Sequence, residues 1–209
     1  MADQNRSITT IYVFVMRHGK KDPEGGTNAL LTAKGREQVA EVASQFLGGM
    51  SFDLLFSSTL DRAAETAEIA YASASGEGVH IARYADRREE LGFLGLPDHE
   101  FADGLKNAKA KSERGEIVTV ADWLKWAPEY MIEACVRFRT EIAQIALDTI
   151  TGNGKNSLIG CHSPLSELGS TDSRTPTLGE AGLIRYTVSV DLQLGMVEIT
   201  DTKVIFEGF

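Results

Sequence analysis

The apolar positions of this chain fall into short β-branched and aromatic runs, separated by longer stretches at helical spacing. Ile11-Tyr12-Val13-Phe14-Val15-Met16 reads as a buried strand, Phe52-Asp53-Leu54-Leu55-Phe56 as a second, and Ser157-Leu158-Ile159-Gly160-Cys161 as a later one. Residues 79–84 alternate and predict a further strand; 183–190, 196–199 and 203–206 predict three more, which would complete one side of a sheet. Between these runs, Thr32 is placed to cap a helix over 33–47, with Val39, Val42, Ala43 and Phe46 as its buried stripe and Gly48-Gly49 as its stop. A helix opened by Leu60 runs to about residue 72. Residues 86–120 mix charges with Gly92, Gly95 and Pro97 and lack a clean period, although 101–111 fits a short helix. Beyond them Trp123, Ala127, Tyr130, Ala134, Phe138, Ile142 and Ile145 recur as a core stripe, with Pro128 breaking or restarting the helix early. The pattern is that of an α/β protein.

Open α/β sheets carry their chemistry in the loops at the carboxyl ends of the strands. Arg17-His18-Gly19 follows the first run directly: an anion fork, an imidazole that can act as a nucleophile, and a backbone that can turn sharply. The second run stops at Ser57-Ser58-Thr59, which places Arg62 in the first turn of the next helix, and the late run ends at His162-Ser163-Pro164. If these strands are neighbours, Arg17, His18, Arg62 and His162 reach one pocket floor. Two arginines and two histidines converging without acidic neighbours suit a tetrahedral dianion.

With 209 residues and 43% hydrophobic content, the chain can bury one substantial core, and a single domain over 1–209 is the economical reading. It has no long apolar run and a polar start, so neither a membrane span nor a secretory signal is expected, and a cytoplasmic location follows. Cys135 and Cys161 lie far apart and read as two reduced thiols. The net charge of −9 argues against nucleic acid or an anionic membrane as a partner. It also repels phosphorylated ligands, so a local cluster must overcome it. Lys20, Lys21, Arg83, Arg87, Arg88, Lys106, Lys109 and Lys111 are candidates, most of them expected to be solvated individually.

Other chemistries fit poorly. His80 and His99 are isolated, there is no His-Glu-x-x-His, and the anion site offers arginines where a divalent ion would want carboxylates. A cysteine phosphatase needs an arginine six residues after its nucleophile, and Cys161 has Glu167 there. Gly154-Lys155 lacks both the upstream glycine and the following hydroxyl of a Walker loop. No metal and no cofactor are expected.

Four collinear segments resemble the histidine phosphatase superfamily, the phosphoglycerate-mutase-like proteins named for an Arg-His-Gly motif. Val15-Met16-Arg17-His18-Gly19 is similar to the signature itself. Leu31-Thr32-Ala33-Lys34-Gly35-Arg36-Glu37-Gln38 resembles the family's Leu-Thr-x-x-Gly-x-x-Gln segment. Ser57-Ser58-Thr59-Leu60-Asp61-Arg62-Ala63-Ala64-Glu65-Thr66-Ala67 resembles Ser-Ser-x-x-x-Arg-Ala-x-x-Thr-Ala, and Ile159-Gly160-Cys161-His162 lies where the family carries its second histidine.

The resemblance implies a three-layer α/β/α sandwich with a mostly parallel central sheet, in which residues 86–120 form a short, partial lid. It implies phosphomonoester hydrolysis through a covalent phosphohistidine on His18, with Arg17, Arg62 and His162 holding the phosphoryl oxygens. The general acid would come from Glu89 first or Glu90 second, since the family's glutamate precedes a glycine in this region, although the spacing does not match cleanly. Asn28, or Thr27, stands in as a phosphate ligand. Where the mutase branch continues with Glu-Ser, this chain has Lys20-Lys21, and Ser163-Pro164 replaces the glycine usual after the second histidine. These departures favour a phosphatase. Two alternatives stay open: a phosphate- or phosphoprotein-binding member without turnover, and a phosphoglycerate-mutase-type phosphotransferase. The partner is a small phosphorylated substrate or a phosphoprotein; its identity and the oligomeric state are left open by the sequence.

Overall fold

The β-branched run before Arg17 becomes the strand around which the molecule is built. The computed structural model describes residues 8–75, 85–92 and 98–209. In it β1 (Ile8–Arg17) is buried on both faces from Val13 to Met16, as a strand covered by helices on two sides must be. The sheet has six strands, in the order β3 (Asp86–Arg87), β2 (Leu54–Ser57), β4 (Asn156–Cys161), β1, β5 (Leu183–Asp191) and β6 (Met196–Phe206). The first four run parallel, whereas β5 and β6 add antiparallel.

Helices cover both faces and complete a three-layer α/β/α sandwich. On one side α1 (Ala33–Leu47) and α2 (Asp61–Ser75) bury Val39, Val42, Leu47, Ala67 and Ala70 against Phe14, Met16, Leu55 and Leu158. On the other, α3 (Asp98–Glu113), α4 (Val120–Trp126) and α5 (Pro128–Thr151) bring Trp123, Tyr130, Phe138, Ile142 and Ile145 against Val13, Val15 and Ile159. The stripe expected from Trp123 to Ile145 is buried throughout. Pro128 takes the first turn of α5, where its missing N–H costs nothing, and the chain breaks at Ala127 between the two helices.

Several boundaries differ from the sequence reading, each for a local reason. Residues 196–199 and 203–206 are one strand, not two. Val188 pairs with Ile199 and Thr187 with Asp201, so Thr200 is the extra residue of a bulge, its hydroxyl donating to the Thr187 carbonyl at 3.2 Å. Polar Thr200-Asp201-Thr202 imitates a turn in the sequence but stays in the sheet. The strand expected from Phe52 begins at Leu54, because the Asp53 carboxylate instead accepts from the N–H groups of Lys155 (2.7 Å) and Asn156 (3.1 Å). The helix expected over 101–111 is longer, and in α1 Leu47 is buried where Phe46 is only half-buried. The strand expected over 79–84 lies outside the described residues.

Candidate functional site

The parallel strands β2, β4 and β1 end side by side, which decides what their loops can share. Arg17 lies opposite Cys161 and Ser57 opposite Gly160. One residue further, the His18 N–H donates to the Cys161 carbonyl at 3.0 Å and the Ser58 N–H to that of Gly160 at 3.1 Å. The imidazoles of His18 and His162 consequently face each other, ring centres 5.2 Å apart and planes at 63°. Both feel the charges of Arg17 and Arg62. The four side chains brought forward from the sequence form one cluster.

Within it His18 has a defined tautomer. Its Nδ1 lies 2.8 Å from the Gly19 carbonyl oxygen. A carbonyl only accepts, so Nδ1 carries the hydrogen and Nε2 the lone pair. Burial pushes the pKa of His18 down to about 3, helped by Arg17, Arg62 and Lys21 and opposed by the Gly19 hydrogen bond. The ring is neutral at physiological pH. His162 is 1% exposed and its Nε2 sits 2.6 Å from the Ser58 hydroxyl. Burial, with the charges of His18, Arg62 and Arg17, holds it well below the ordinary histidine value.

The two guanidinium groups are held by backbone carbonyls. Arg62, 7% exposed, donates from Nη1 to Thr27 at 2.6 Å, and Arg17 donates to Leu178. The Nε of each is buried without a partner among the described residues. Burial lowers the pKa of both; Arg62 is further lowered by Arg17, while Glu167 and Glu180 oppose the shift at Arg17. Two desolvated like charges with spare donors gain from an anion that bridges them.

The recurring sequence segments explain why this geometry is held. Thr32 caps α1 by accepting from Gly35 N–H at 3.0 Å, and Gly35 packs so tightly that a Cβ there would lie 2.2 Å from the Lys20 carbonyl oxygen. Gln38, one turn on, accepts from Lys20 N–H at 2.9 Å and donates to Glu180 at 3.1 Å. The Leu-Thr-x-x-Gly-x-x-Gln pattern thus pins the loop after His18 to the start of α1. On α2, the Thr66 hydroxyl donates to the Arg62 carbonyl at 2.8 Å, and Gly160 of β4 touches the Ala63 backbone where any side chain would collide. Beneath His162, the fully buried Glu167 accepts from the hydroxyls of Ser163 and Ser166 and from Leu178 N–H, and its charge faces Arg17.

The remaining candidates, among the described residues, are exposed or tied to other partners. Glu89 and Glu90 are exposed on a single 3₁₀ turn (Glu89–Leu91), with Glu90 close enough to Glu141 on α5 to raise its pKa. Asn28 is exposed and gives its carboxamide to Asp61, donating to the carboxylate at 2.6 Å and accepting from the N–H at 2.9 Å. Of the basic candidates, Arg88 is tied to Asp86, Glu141 and Asp148, Arg87 to Asp61, and Lys111 to Asp122. Lys21 reaches both histidines with its field, and Arg83 lies outside the described residues. No three metal-ligating side chains come together among the described residues.

Sequence alone does not mark Ser58 or Glu167 as site residues. Ser58 had a signal, its place in the segment that supplies Arg62; Glu167 had none. Beside Arg17 opens a cleft of about 490 Å³, bounded by α3, residues 116–118 and residues 176–179.

A sequence profile described as the histidine phosphatase superfamily (branch 1) matches residues 13–144. No curated protein sequence matches the chain. Among solved structures, the chain is similar to a phosphoglycerate mutase from Bacillus anthracis str. Sterne, with 19% identity, 92% of each chain covered and a TM-score of 0.60. It is also similar to a mycobacterial glucosyl-3-phosphoglycerate phosphatase in complex with VO3, with 18% identity, 95% of this chain and 100% of the other covered, and a TM-score of 0.61. The complex of that phosphatase with inorganic phosphate gives 18% identity, 94% and 97% coverage, and a TM-score of 0.58.

Proposed function

Since the chain belongs to the histidine phosphatase superfamily, we propose that it hydrolyses phosphomonoesters through a phosphoryl group carried transiently on His18. The observation that carries this reading is the Nδ1–H of His18 bonded to Gly19 O at 2.8 Å, which leaves Nε2 a neutral lone pair in the field of half-buried Arg17 and buried Arg62. Nε2 attacks phosphorus, an N–P bond forms and the ester P–O bond breaks. The departing alcohol oxygen takes a proton, and water then attacks the phosphohistidine to release inorganic phosphate and restore the imidazole. Arg17, Arg62 and His162 stabilise the oxygens as charge spreads over them, which is most of what a protein can do for a loose phosphoryl-transfer transition state.

Glu89 is the proposed proton donor, in preference to Glu90, which faces the Arg88–Glu141 network. The role of substitute phosphate ligand fits Thr27 and Asn28 less well, since the Asn28 amide is committed to Asp61. Likeness to a phosphatase that binds VO3 and inorganic phosphate supports an anion site of this kind. Exposure of both Glu89 and Glu90 favours the second reading, a phosphate-binding protein without turnover. Release of p-nitrophenol from p-nitrophenyl phosphate separates the two, because that leaving group barely needs an acid. Turnover lost in His18→Ala supports the phosphatase; phosphate binding without turnover supports the binder; interconversion of phosphoglycerates would reveal a mutase.

A further inference from the structure

We propose that the cleft beside Arg17 receives the alcohol part of the phosphomonoester and selects alcohols with an apolar body and no second anion. The inference rests on the phosphatase reading above and names its substrate class. The cleft adjoins the anion cluster at Arg17, and Ser163, the residue after His162, also belongs to its lining. A phosphoryl group held by Arg17 would lie at the edge of this space, which its alcohol part can enter. About 490 Å³ accommodates an organic body well beyond a three-carbon chain.

The character of the lining sets the preference. Leu105, Ala108, Ile117, Val118 and Trp123 contribute apolar surface. Two of these are left in water, Ile117 at 68% and Leu105 at 48% exposure, and an apolar ligand body would cover both. Polar capacity is present but uncharged: Trp123 Nε1 and Thr177 Oγ1 are buried without hydrogen-bond partners among the described residues, and both residues line the cleft. A second anion fares badly. Glu207 and Glu116, the latter paired with Arg114 at 2.5 Å, stand in the lining, and Arg17 is engaged by the phosphoryl group. Lys109, the one other cation among the described lining residues, is exposed to water, where its attraction to a substrate carboxylate is weak, and the chain already carries a net charge of −9.

The test compares kcat/KM for hexyl phosphate, glycerol 3-phosphate and 3-phosphoglycerate by phosphate release. Their alkoxide leaving groups are of similar basicity, so differences report binding of the alcohol. The expected preference for hexyl phosphate over 3-phosphoglycerate is about tenfold or more, in line with the worth of a few buried methylenes. Ile117→Asp, and independently Leu105→Asp, should reduce that ratio about tenfold. Ile132→Asp, an equally exposed apolar position on α5 (61%) away from the cleft, should leave it unchanged. Circular dichroism checks that each variant is folded. Equal rates, a preference for 3-phosphoglycerate, no release from any of the three esters, or a ratio unmoved in both folded cleft variants overturns the inference while p-nitrophenyl phosphate turnover keeps the phosphatase reading. Silence towards p-nitrophenyl phosphate as well overturns both.

Discussion

The hydroxyl of Ser58, at the end of β2, lies 2.6 Å from Nε2 of His162, at the end of the neighbouring strand β4. The contact fixes the orientation of the second imidazole from a residue that itself belongs to the Arg62 segment, so both halves of the anion site are set by one turn. Ser58→Ala removes this restraint without disturbing the Ser58 N–H bond to Gly160. One such buried hydrogen bond is worth about 1–2 kcal/mol, so kcat/KM should fall roughly tenfold. The His162 ring nitrogen signals in a ¹⁵N NMR spectrum should shift in the same variant; unchanged signals would contradict the orienting role.

Arg17→Ala and Arg62→Ala each remove a fork proposed to hold the phosphoryl oxygens, and each should raise the barrier by about 2–4 kcal/mol. Lysine should not restore full activity at either place. It lacks the planar pair of donors, and the carbonyls of Leu178 and Thr27 that steady the guanidinium groups would be engaged differently. Steady-state kinetics with p-nitrophenyl phosphate reads both effects, and rates within twofold of wild type in the lysine variants would count against the fork geometry.

Glu167 separates charge from hydrogen bonding. In Glu167→Gln one oxygen can still accept from Ser163 and Leu178 while the new amide donates to Ser166, so the fold should survive and only the charge facing Arg17 is lost. Glu167→Ala strands those donors and the buried guanidinium together, for an expected cost of about 3–5 kcal/mol. Urea unfolding should rank wild type, the glutamine variant and the alanine variant in that order. Equal stability of the two variants would show that the hydrogen bonds contribute nothing.

Protonation couples the site to stability. Burial lowers His18 to about 3 and places His162 well below its ordinary value, while both titrate near 6.5 in the unfolded chain. Between those values the unfolded state binds more protons. Stability from these two groups is therefore complete above about pH 6.5 and declines as the pH falls towards 3. Burial raises the pKa of Glu167, which opposes that trend at the acid end. Inorganic phosphate, binding the folded state only, should raise the melting temperature, and His18→Ala together with Arg62→Ala should abolish that rise. Thermal melts from pH 7.5 to 5 check both points, and a flat profile would mean the imidazoles are not held neutral.

The sandwich was legible because the β1 and β4 runs and the α5 stripe are long and unambiguous, and because Thr32, Gly48-Gly49 and Pro128 mark helix ends by ordinary capping chemistry. The clustering of Arg17, His18, Arg62 and His162 followed from their places at strand ends. What stayed hidden depends on contacts across the sequence. Thr200 reads as a break because a bulge leaves no periodic mark. Ser58 and Glu167 gain meaning only against His162, Arg17 and Leu178, which lie 104, 150 and 11 positions away from the partner concerned. Sequence ranks Glu89 ahead of Glu90, and the charge pattern around Glu141, which includes Glu90, is a physical reason visible only in the fold.

The proposed chemistry has the free nitrogen of His18 becoming covalently attached to phosphorus. Rapid quenching of the protein during turnover of p-nitrophenyl phosphate, followed by peptide mass spectrometry under alkaline conditions that preserve phosphohistidine, tests it directly. The expected result is a phosphoryl group on the His18 peptide that disappears once substrate is exhausted and never forms in His18→Ala. Turnover at full rate with no phosphoryl group on that peptide, or with turnover intact in His18→Ala, would contradict it.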